Sequence, residues 1–492
     1  MRASCPGTFL AVLLVLTGCE RDPSPQSGDT VVLPLRTFAL NVDPATLADV
    51  DSRKVATLLH SGLVAIDQNG RVVPRVASSW RRTSPDTWEF RIRPSLTFSS
   101  GRPASPQAVV RSLCASLQPT STQAWSLAGI AHETGRDKKT VNCTGLSVKG
   151  DNVVIREAQP SPWLLEGLAG PGGWIVDPDA PVAAYGNRPG LGPYVISRVR
   201  QDQDVELTPR PGGAVEPAVS RIIFRYFPDN SVAAAAFNSG GLDLLEVESP
   251  DLQALLTTAG ELKRRGAQLL RANSDRVRIV TLNFARLQAL QLSPDEAQAF
   301  RQLYSSMAPR QRIAAASSGL ARPLLTSFPP ADDPPRVSTP ALAGRHRARE
   351  LRLISENDSW SDRIAATLPT EVAGLRIRYT TLEKSLFLKA LLSGDYDLAL
   401  LKLEATHHTP RFWAAFFTPG NPYTVFGRPL RGFDRYDLST APGINEAARR
   451  VDAEGNWVPL VRDIGVIAMS PRLQGVRLTS TGQLSFEQVT LK

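Results

Sequence analysis

The sequence is poor in the residues that form metal and redox centres, with five histidines and four cysteines among 492 residues. None of the cysteine and histidine spacings matches a zinc site. The adjacent pair His407 and His408 would point to opposite faces of an extended segment, so both could not easily bind one ion. The sequence therefore predicts no metal site and no cofactor, and the histidine pair is interpreted as part of a polar loop.

The chain also lacks the short motifs of common hydrolases and nucleotide-binding proteins. It contains no Gly-x-Ser-x-Gly, no His-Glu-x-x-His, no P-loop and no Gly-x-Gly-x-x-Gly. Carboxylates are numerous, but spacing alone places no pair of them as a glycosidase dyad. These absences favour a protein that is not an enzyme.

The N-terminus is typical of a bacterial lipoprotein signal. Arg2 forms a small charged region, residues 9–16 are apolar, and a Leu-Thr-Gly-Cys lipobox ends at Cys19. The apolar run is too short to span a bilayer. The alternative, a buried N-terminal helix, does not explain the small residues before Cys19. We expect a signal peptide over 1–18, lipid on Cys19 and a lipidated tether over 19–30.

The length of the chain predicts two or three domains, and its 42% hydrophobic content fits a soluble globular protein. The net charge of +9 raises the possibility of a nucleic-acid partner. For an exported lipoprotein, a basic surface facing anionic lipid or an arginine-rich composition explains it better, so no nucleic-acid binding is predicted. If Cys5 is removed and Cys19 lipidated, Cys114 and Cys143 remain. We predict that they form a disulfide, with two buried thiols as the alternative.

Caps, strands and turns follow one another closely between residues 42 and 117. In order, the patterns predict a helix capped by Asp51 or Ser52 with Val55, Leu58 and Leu59 buried, a hairpin at Asp67–Gly70, a strand burying Trp88, Phe90 and Ile92, and a helix after Ser105 and Pro106. Later segments predict strands at 278–283, 351–354, 375–379, 396–401, 458–461, 465–469 and 484–489, and helical signal at 293–320, 360–368 and 382–392. Strands that alternate with helices favour an α/β fold with a parallel or mixed sheet.

The order and spacing of these elements resemble the family 5 extracellular solute-binding proteins. The residues that carry the resemblance are Asp43-Pro44, Ser61-Gly62-Leu63, Asn69-Gly70, Pro74, Ala77, Trp80, Thr87-Trp88-Glu89-Phe90, Arg93, Phe98, Gly101-Arg102-Pro103, Val109 through Ser112, and Gly190-Leu191-Gly192-Pro193-Tyr194. The resemblance implies an α/β, two-lobed periplasmic binding protein fold of type II, the large peptide-binding class, with an extra subdomain inserted in lobe one.

The resemblance also implies a domain order and a function. The expected parts are lobe I over 31–65 and 185–265, an inserted subdomain over 66–184, lobe II over 266–456 and a return to lobe I over 457–492. Such a protein captures a peptide-like or other small solute by hinge closure, as a monomer, and delivers it to an ABC permease from the periplasmic side of the cell envelope. The alternatives are an envelope lipoprotein used for sensing or interaction, and an envelope hydrolase.

The resemblance places candidate ligand contacts at Leu47, Asp49, Lys402, Leu403, Glu404 and Thr406. Residues 396–410 align without gaps to a segment that, in peptide-binding members, carries an aspartate paired with the peptide's α-ammonium. Thr406 stands at that position, and a hydroxyl cannot compensate a buried ammonium. Glu404 lies a full strand repeat of about 6.6 Å away. We expect free-amine peptides to bind poorly and the ligand to be N-blocked, neutral or anionic there, with Lys402 as a candidate contact. The alternative is a degenerate pocket that binds no ligand.

Overall fold

The computed structural model describes residues 29–36, 38, 40–47, 49–67, 70–136, 139–158, 163–257, 266–304, 307–329, 349–405, 410–419, 424, 426–478, 484–485 and 489–492. Cys19, Thr406 and the pair His407 and His408 lie outside these residues, as does most of the arginine-rich run 345–349.

The helices and strands of the described residues are numbered in chain order. The α-helices are α1 Val50–Leu59, α2 Pro106–Ser116, α3 Leu164–Ala169, α4 Asn230–Ser239, α5 Pro250–Thr257, α6 Phe284–Ala289, α7 Pro294–Tyr304, α8 Met307–Ala316, α9 Ser359–Ala365, α10 Lys384–Ser393, α11 Pro410–Ala414 and α12 Ala441–Glu454. The strands are β1 Thr30–Leu35, β2 Ser61–Gly62, β3 Val64–Ile66, β4 Val72–Pro74, β5 Ala77–Ser84, β6 Thr87–Ile92, β7 Glu133–Thr134, β8 Val141–Asn142, β9 Leu146–Lys149, β10 Asn152–Arg156, β11 Trp174–Ile175, β12 Tyr194–Arg200, β13 Asp204–Pro209, β14 Arg221–Tyr226, β15 Leu244–Glu246, β16 Gln268–Leu282, β17 Ala321–Pro323, β18 Arg349–Glu356, β19 Glu371–Val372, β20 Leu375–Leu382, β21 Leu398–Glu404, β22 Trp457–Met469, β23 Leu473–Gln474, β24 Arg477–Leu478, β25 Leu484–Ser485 and β26 Thr490–Leu491. In this part of the chain, none of the helices is long and apolar enough to cross a membrane.

The caps of the first two long helices follow the sequence, with one correction. The cap of α1 is Asp49, whose carboxylate accepts a hydrogen bond from the backbone N–H of Ser52 at 2.8 Å. The prediction of Asp51 or Ser52 was wrong because both residues already lie inside the helix and are buried. Ser105 caps α2 as predicted, accepting from Ala108 at 3.2 Å.

The first lobe is built on a four-stranded sheet in the order β1-β14-β13-β12, in which β1 pairs parallel with β14 and the other pairs are antiparallel. Helix α1 packs its apolar side, with Val55 and Leu59, into the core of this sheet. His60, directly after the helix, is buried and stacks on Trp174 with ring centroids 6.1 Å apart. The N-terminal half of the chain therefore fixes α1 firmly against the first sheet.

A second, separate core belongs to the sheet β5-β6-β10-β9 and helix α2. Cys114 in α2 and Cys143, just after β8, form a disulfide in the structure. In β6, Phe90 and Ile92 are buried as predicted and Trp88 is half-buried, whereas Glu89, which alternates with them, is also buried. Arg81 and Lys149 each bind the Glu89 carboxylate, at 3.0 Å through Nε and 3.1 Å through Nζ, which satisfies the charge that burial would otherwise leave unpaired.

The large mixed sheet, in the order β15-β22-β16-β21-β18-β20-β19 with β17 paired to β22, forms the second lobe except at its β15 end, where Leu244 packs in the first-lobe core. Strands β18, β20 and β21 run parallel, whereas β16 pairs antiparallel with both β21 and β22. Hydrophobic cores cover both faces of this sheet. The prediction of a mixed α/β arrangement is confirmed for this lobe.

Two long strands, β16 and β22, connect the lobes. The predicted start of β16 at Arg278 was wrong by ten residues, and the predicted strands 458–461 and 465–469 are one strand. Their pairing shifts between Asn273 and Val277, so that residues 274–276 bulge opposite Asp463. A bulge adds twist without ending a strand, which explains why a local break in the sequence pattern does not end either one.

Candidate functional site

A group of buried charged residues lies where α1 of the first lobe meets the second-lobe sheet, beside the bulge of β16. We call it the central ion cluster. Its members are Asp51, Arg53 and Lys54 of α1, Glu246 of β15, Glu248 two residues later, Arg276 of the β16 bulge, and Glu404 at the end of β21.

Glu404 joins the two lobes through two arginines. Arg53 Nη2 donates to Glu404 Oε1 at 2.8 Å, and Arg276 donates to Oε2 through Nε at 3.0 Å and Nη2 at 2.7 Å. The Arg53 and Glu404 side chains are only 8% and 11% exposed. Burial alone would raise the pKa of Glu404, but the charges of Arg276 and Arg53 outweigh it and hold the pKa below its ordinary value. Glu404 is therefore an ionised carboxylate whose two oxygens are both engaged.

Lys54 is compensated within the first lobe and the strand next to it. Its Nζ lies 3.0 Å from Asp51 Oδ1 and 2.5 Å from Glu246 Oε2. Burial would lower the pKa of Lys54, but the carboxylates of Asp51 and Glu246 outweigh burial and raise it above the ordinary value. Asp51 Oδ2 also accepts from the backbone N–H of Arg36 at 2.7 Å. This lysine is thus a charged, fully paired group.

Glu248 extends the cluster toward solvent. Arg276 Nη1 lies 3.1 Å from Glu248 Oε1. Burial opposes ionisation of Glu248, but the charges of Lys402, Arg276 and Lys54 together bring its pKa well below the ordinary value. Lys402 is exposed on β21, so it faces this carboxylate from the open side of the cluster.

The strand register explains why Arg276 and Glu404 meet. They are directly paired residues of the antiparallel strands β16 and β21, so their side chains share one face. The bulge also places Asp275 and Asp463 nearby, where Arg462 and Arg278 bind them at 3.3 and 3.2 Å. Each of these carboxylates near the bulge of β16 thus has an arginine partner.

The other predicted ligand residues have varied places in the structure. Leu47 is buried in the core of the first lobe, and Asp49 is occupied as the cap of α1. Leu403 is half-buried against the second-lobe core, whereas Lys402 and Glu404 lie at the cluster. Thr406 is outside the described residues. The roles of these residues as ligand contacts stay predictions.

A second contact between distant parts of the chain is aromatic. Trp125, which follows α2, packs against Phe412 of α11 with ring centroids 5.8 Å apart. Both rings are buried in the same core as the second-lobe sheet. The two halves of the chain therefore touch through an ionic contact at α1 and an aromatic contact at Trp125.

The residues predicted from the sequence as ligand contacts include Glu404 of the central ion cluster and Lys402 beside it, but not the other six members. Arg53 and Lys54 sit in a helix where seven of ten residues are buried, which is an unusual place for adjacent cations. Arg276 and Arg278 alternate with Val277 and Ile279, which indicated one charged strand face. The pairing of Arg276 with Glu404, 128 residues apart, had no signal in the sequence.

Among the described residues, no group of three histidine, cysteine or acidic side chains could hold a metal ion.

Comparison with known proteins places this geometry in a family. The model of "Bacterial extracellular solute-binding proteins, family 5 Middle" matches residues 71–422. The nickel-binding periplasmic protein of Escherichia coli (strain K12) is 26% identical over 204 residues, covering 38% of this chain and 36% of that protein. In this alignment the chain spans little more than a third of its relative's length.

Solved structures match over nearly the whole chain. The murein tripeptide binding protein MppA of Escherichia coli superposes with a TM-score of 0.75 at 16% identity, covering 94% of this chain and 98% of that one. OppA of Burkholderia pseudomallei superposes with a TM-score of 0.77 at 14% identity, covering 94% of this chain and 99% of that one. These superpositions confirm the two-lobed periplasmic binding protein fold. With the family model matching well over half of its length, the chain belongs to the bacterial extracellular solute-binding proteins of family 5.

Proposed function

We propose that this protein is the solute-binding component of an ABC importer, which captures a peptide-like or other small solute between its lobes and is not an enzyme. The observation that carries the proposal is the central ion cluster, in which α1 of one lobe and β21 of the other meet beside the two strands that connect them. Family membership supports the class of function. Relatives named for nickel, oligopeptides and murein peptides make a small solute the natural cargo.

The mechanism we propose is hinge closure about β16 and β22. The bulge at residues 274–276 is the point at which their pairing changes register, so rotation there disturbs few ladder hydrogen bonds. Opening would separate Arg53 from Glu404 and Trp125 from Phe412. The Arg276–Glu404 contact would persist, because these residues belong to paired strands of one sheet.

The domain order inferred from the sequence belongs to the same proposal. The inserted subdomain over 66–184 is supported by its own sheet and core. The return of the C-terminus to lobe I over 457–492 is supported by Leu473, Val476 and Val489, which pack in the first-lobe core. The proposed order keeps 31–65 and 185–265 in lobe I and 266–456 in lobe II.

Lipid anchoring through Cys19 completes the proposal. The lipobox and the polar segment after it support a tether on the periplasmic side of a membrane, and the receptor in this proposal is a monomer that acts next to its permease. No nucleic-acid partner and no cofactor are part of this function.

The test combines ligand identification with a measurement of closure. Protein purified from its own host under mild conditions should carry a small solute that native mass spectrometry detects and that mild denaturation releases. Small-angle scattering should show a smaller radius of gyration with the released solute than without it. A protein that carries no solute from host extract, and whose radius does not respond to that extract, would contradict the proposal.

A further inference from the structure

We propose that the solute carries a carboxylate or a similar anionic group that binds Arg53. In the structure, Glu404 occupies the position on Arg53 that this group would take. This inference rests on the proposed solute-binding function and adds the chemical class of the solute and the residue that recognises it.

The first step is the unequal pairing of the two cations on α1. Lys54 is held by Asp51 and Glu246, on its own side of the cleft. For Arg53, the carboxylate partner among the described residues is Glu404, on the opposite side. When the lobes separate, Lys54 keeps both partners, whereas Arg53 loses its anion. With the lobes in contact the Arg53 side chain is only 8% exposed, and a guanidinium buried there without an anion would be costly, so closure over a solute favours one that supplies an anionic group.

The second step is that Glu404 does not need Arg53 in return. Its Oε2 remains bound by two nitrogens of Arg276. A solute carboxylate can therefore take the guanidinium of Arg53 without leaving Glu404 unpaired. A solute ammonium would instead have to take Glu404 Oε1 from Arg53, and it would leave that guanidinium without an anion when the lobes close.

The charge of the surroundings points the same way. Two further cations, Arg36 and Lys402, act on Glu248 at the edge of the central ion cluster. Among the described residues, Arg36 Nη1 is buried and has no hydrogen-bond partner. Arg36 therefore offers a further hydrogen-bond donor to an anionic solute.

The experiment uses two matched peptide libraries of two to five residues. One is N-acetylated with a free carboxylate, and the other has a free amine and a C-terminal amide. Retention on the purified protein is quantified by mass spectrometry, and affinities of retained members are measured by calorimetry. We expect retention from the acetylated library and none from the amide library.

Substitutions of Arg53 and Glu404 test whether these two residues recognise the solute. E404Q should bind the retained acids about tenfold more tightly, because the competing carboxylate is gone. The affinity of R53Q for these acids should fall at least tenfold, and that of R53K should fall by less. E350Q, which removes an exposed carboxylate paired with Arg378 in the same lobe, should match the unmodified protein. Far-UV circular dichroism checks that each variant folds, and R53K keeps the test valid if R53Q does not.

Three results would overturn the inference: retention of the amide library, equal affinity of R53Q and the unmodified protein, or retention of neither library. The proposed function is tested separately by the solute that copurifies. A copurified cation would overturn the inference and leave the function standing, whereas the absence of any solute would overturn both.

Discussion

Replacing Arg276 with methionine should test whether the central ion cluster holds the lobes together. Arg276 contacts Glu404 twice, at 2.7 and 3.0 Å, and Glu248 once, at 3.1 Å, and its side chain is only 16% exposed. Removing one partner of a buried ion pair costs about 3–5 kcal/mol because the other charge stays buried. Because the Arg276 side chain is partly exposed, the cost should lie at the lower end of this range. We expect R276M to lower the free energy of unfolding by roughly 3 kcal/mol at pH 8.

The loss in R276M should also depend on pH. In the unmodified protein the pKa values of Glu404 and Glu248 are lowered, so their stabilising contribution is present above the unfolded glutamate pKa of about 4.3 and is lost as the pH falls through the folded values. Without Arg276, burial dominates and the folded pKa values should rise above the unfolded value. Protonation then favours the folded variant, and the difference from the unmodified protein should shrink at pH 5.

Urea unfolding followed by tryptophan fluorescence at pH 8 and pH 5 measures both effects. The matched control is R271M, on the same strand, where Arg271 is exposed and contacts only the backbone carbonyl of Gly319 and the side chain of Gln253 among its recorded partners. The control should lose less than about 1 kcal/mol. A loss in R276M no larger than in R271M, or one that is equal at the two pH values, would refute the reasoning.

The remaining predictions concern individual side chains. Cys114 and Cys143 should resist thiol labelling under denaturing, non-reducing conditions, and two labelled thiols would contradict this; the bond closes a loop of 29 residues, worth roughly 3 kcal/mol by chain entropy. Palmitate should label the protein in its host and the C5A variant but not C19A, and labelling of C19A would exclude the proposed anchor. Burial lowers the pKa of His60 to about 4 despite its hydrogen bond to the Val42 carbonyl. The free energy of unfolding should therefore fall by about 3 kcal/mol as the pH drops from 6.5 to 4. The H60Q variant should lack this fall, and an equal fall in H60Q would contradict the prediction.

Local patterns predicted much of the fold because they depend on neighbouring residues. Ser105 and Pro106 set the start of α2, and the hydrogen bond from Gly70 N–H to the Asp67 carbonyl lies in the predicted hairpin of β3 and β4. Boundaries were wrong where a long-range contact extended an element. Strand β16 continues ten residues before Arg278 because β22 supplies pairing partners that its own sequence does not indicate.

The candidate site was predicted only where one segment carried enough information. Glu404 and Lys402 were found because they lie in a segment that aligns with a family motif. Arg53 was missed because a cation in a helix is usually solvated, and its burial depends on a carboxylate 351 residues away. Contacts between charges distant in sequence determine this site, and periodicity within one element cannot supply them.

The expectation that free-amine peptides bind poorly now rests on two separate arguments. In the family resemblance, Thr406 stands where peptide-binding members carry an aspartate, and Glu404 is expected too far along the strand to replace it. In the structure, both carboxylate oxygens of Glu404 are already bound by arginines, even for a solute placed within its reach. A free ammonium would therefore have to displace Arg53 or Arg276, and the displaced guanidinium would then lack an anion in a buried setting. An anionic solute avoids this cost, since it brings the charge that Arg53 needs and leaves Glu404 with Arg276.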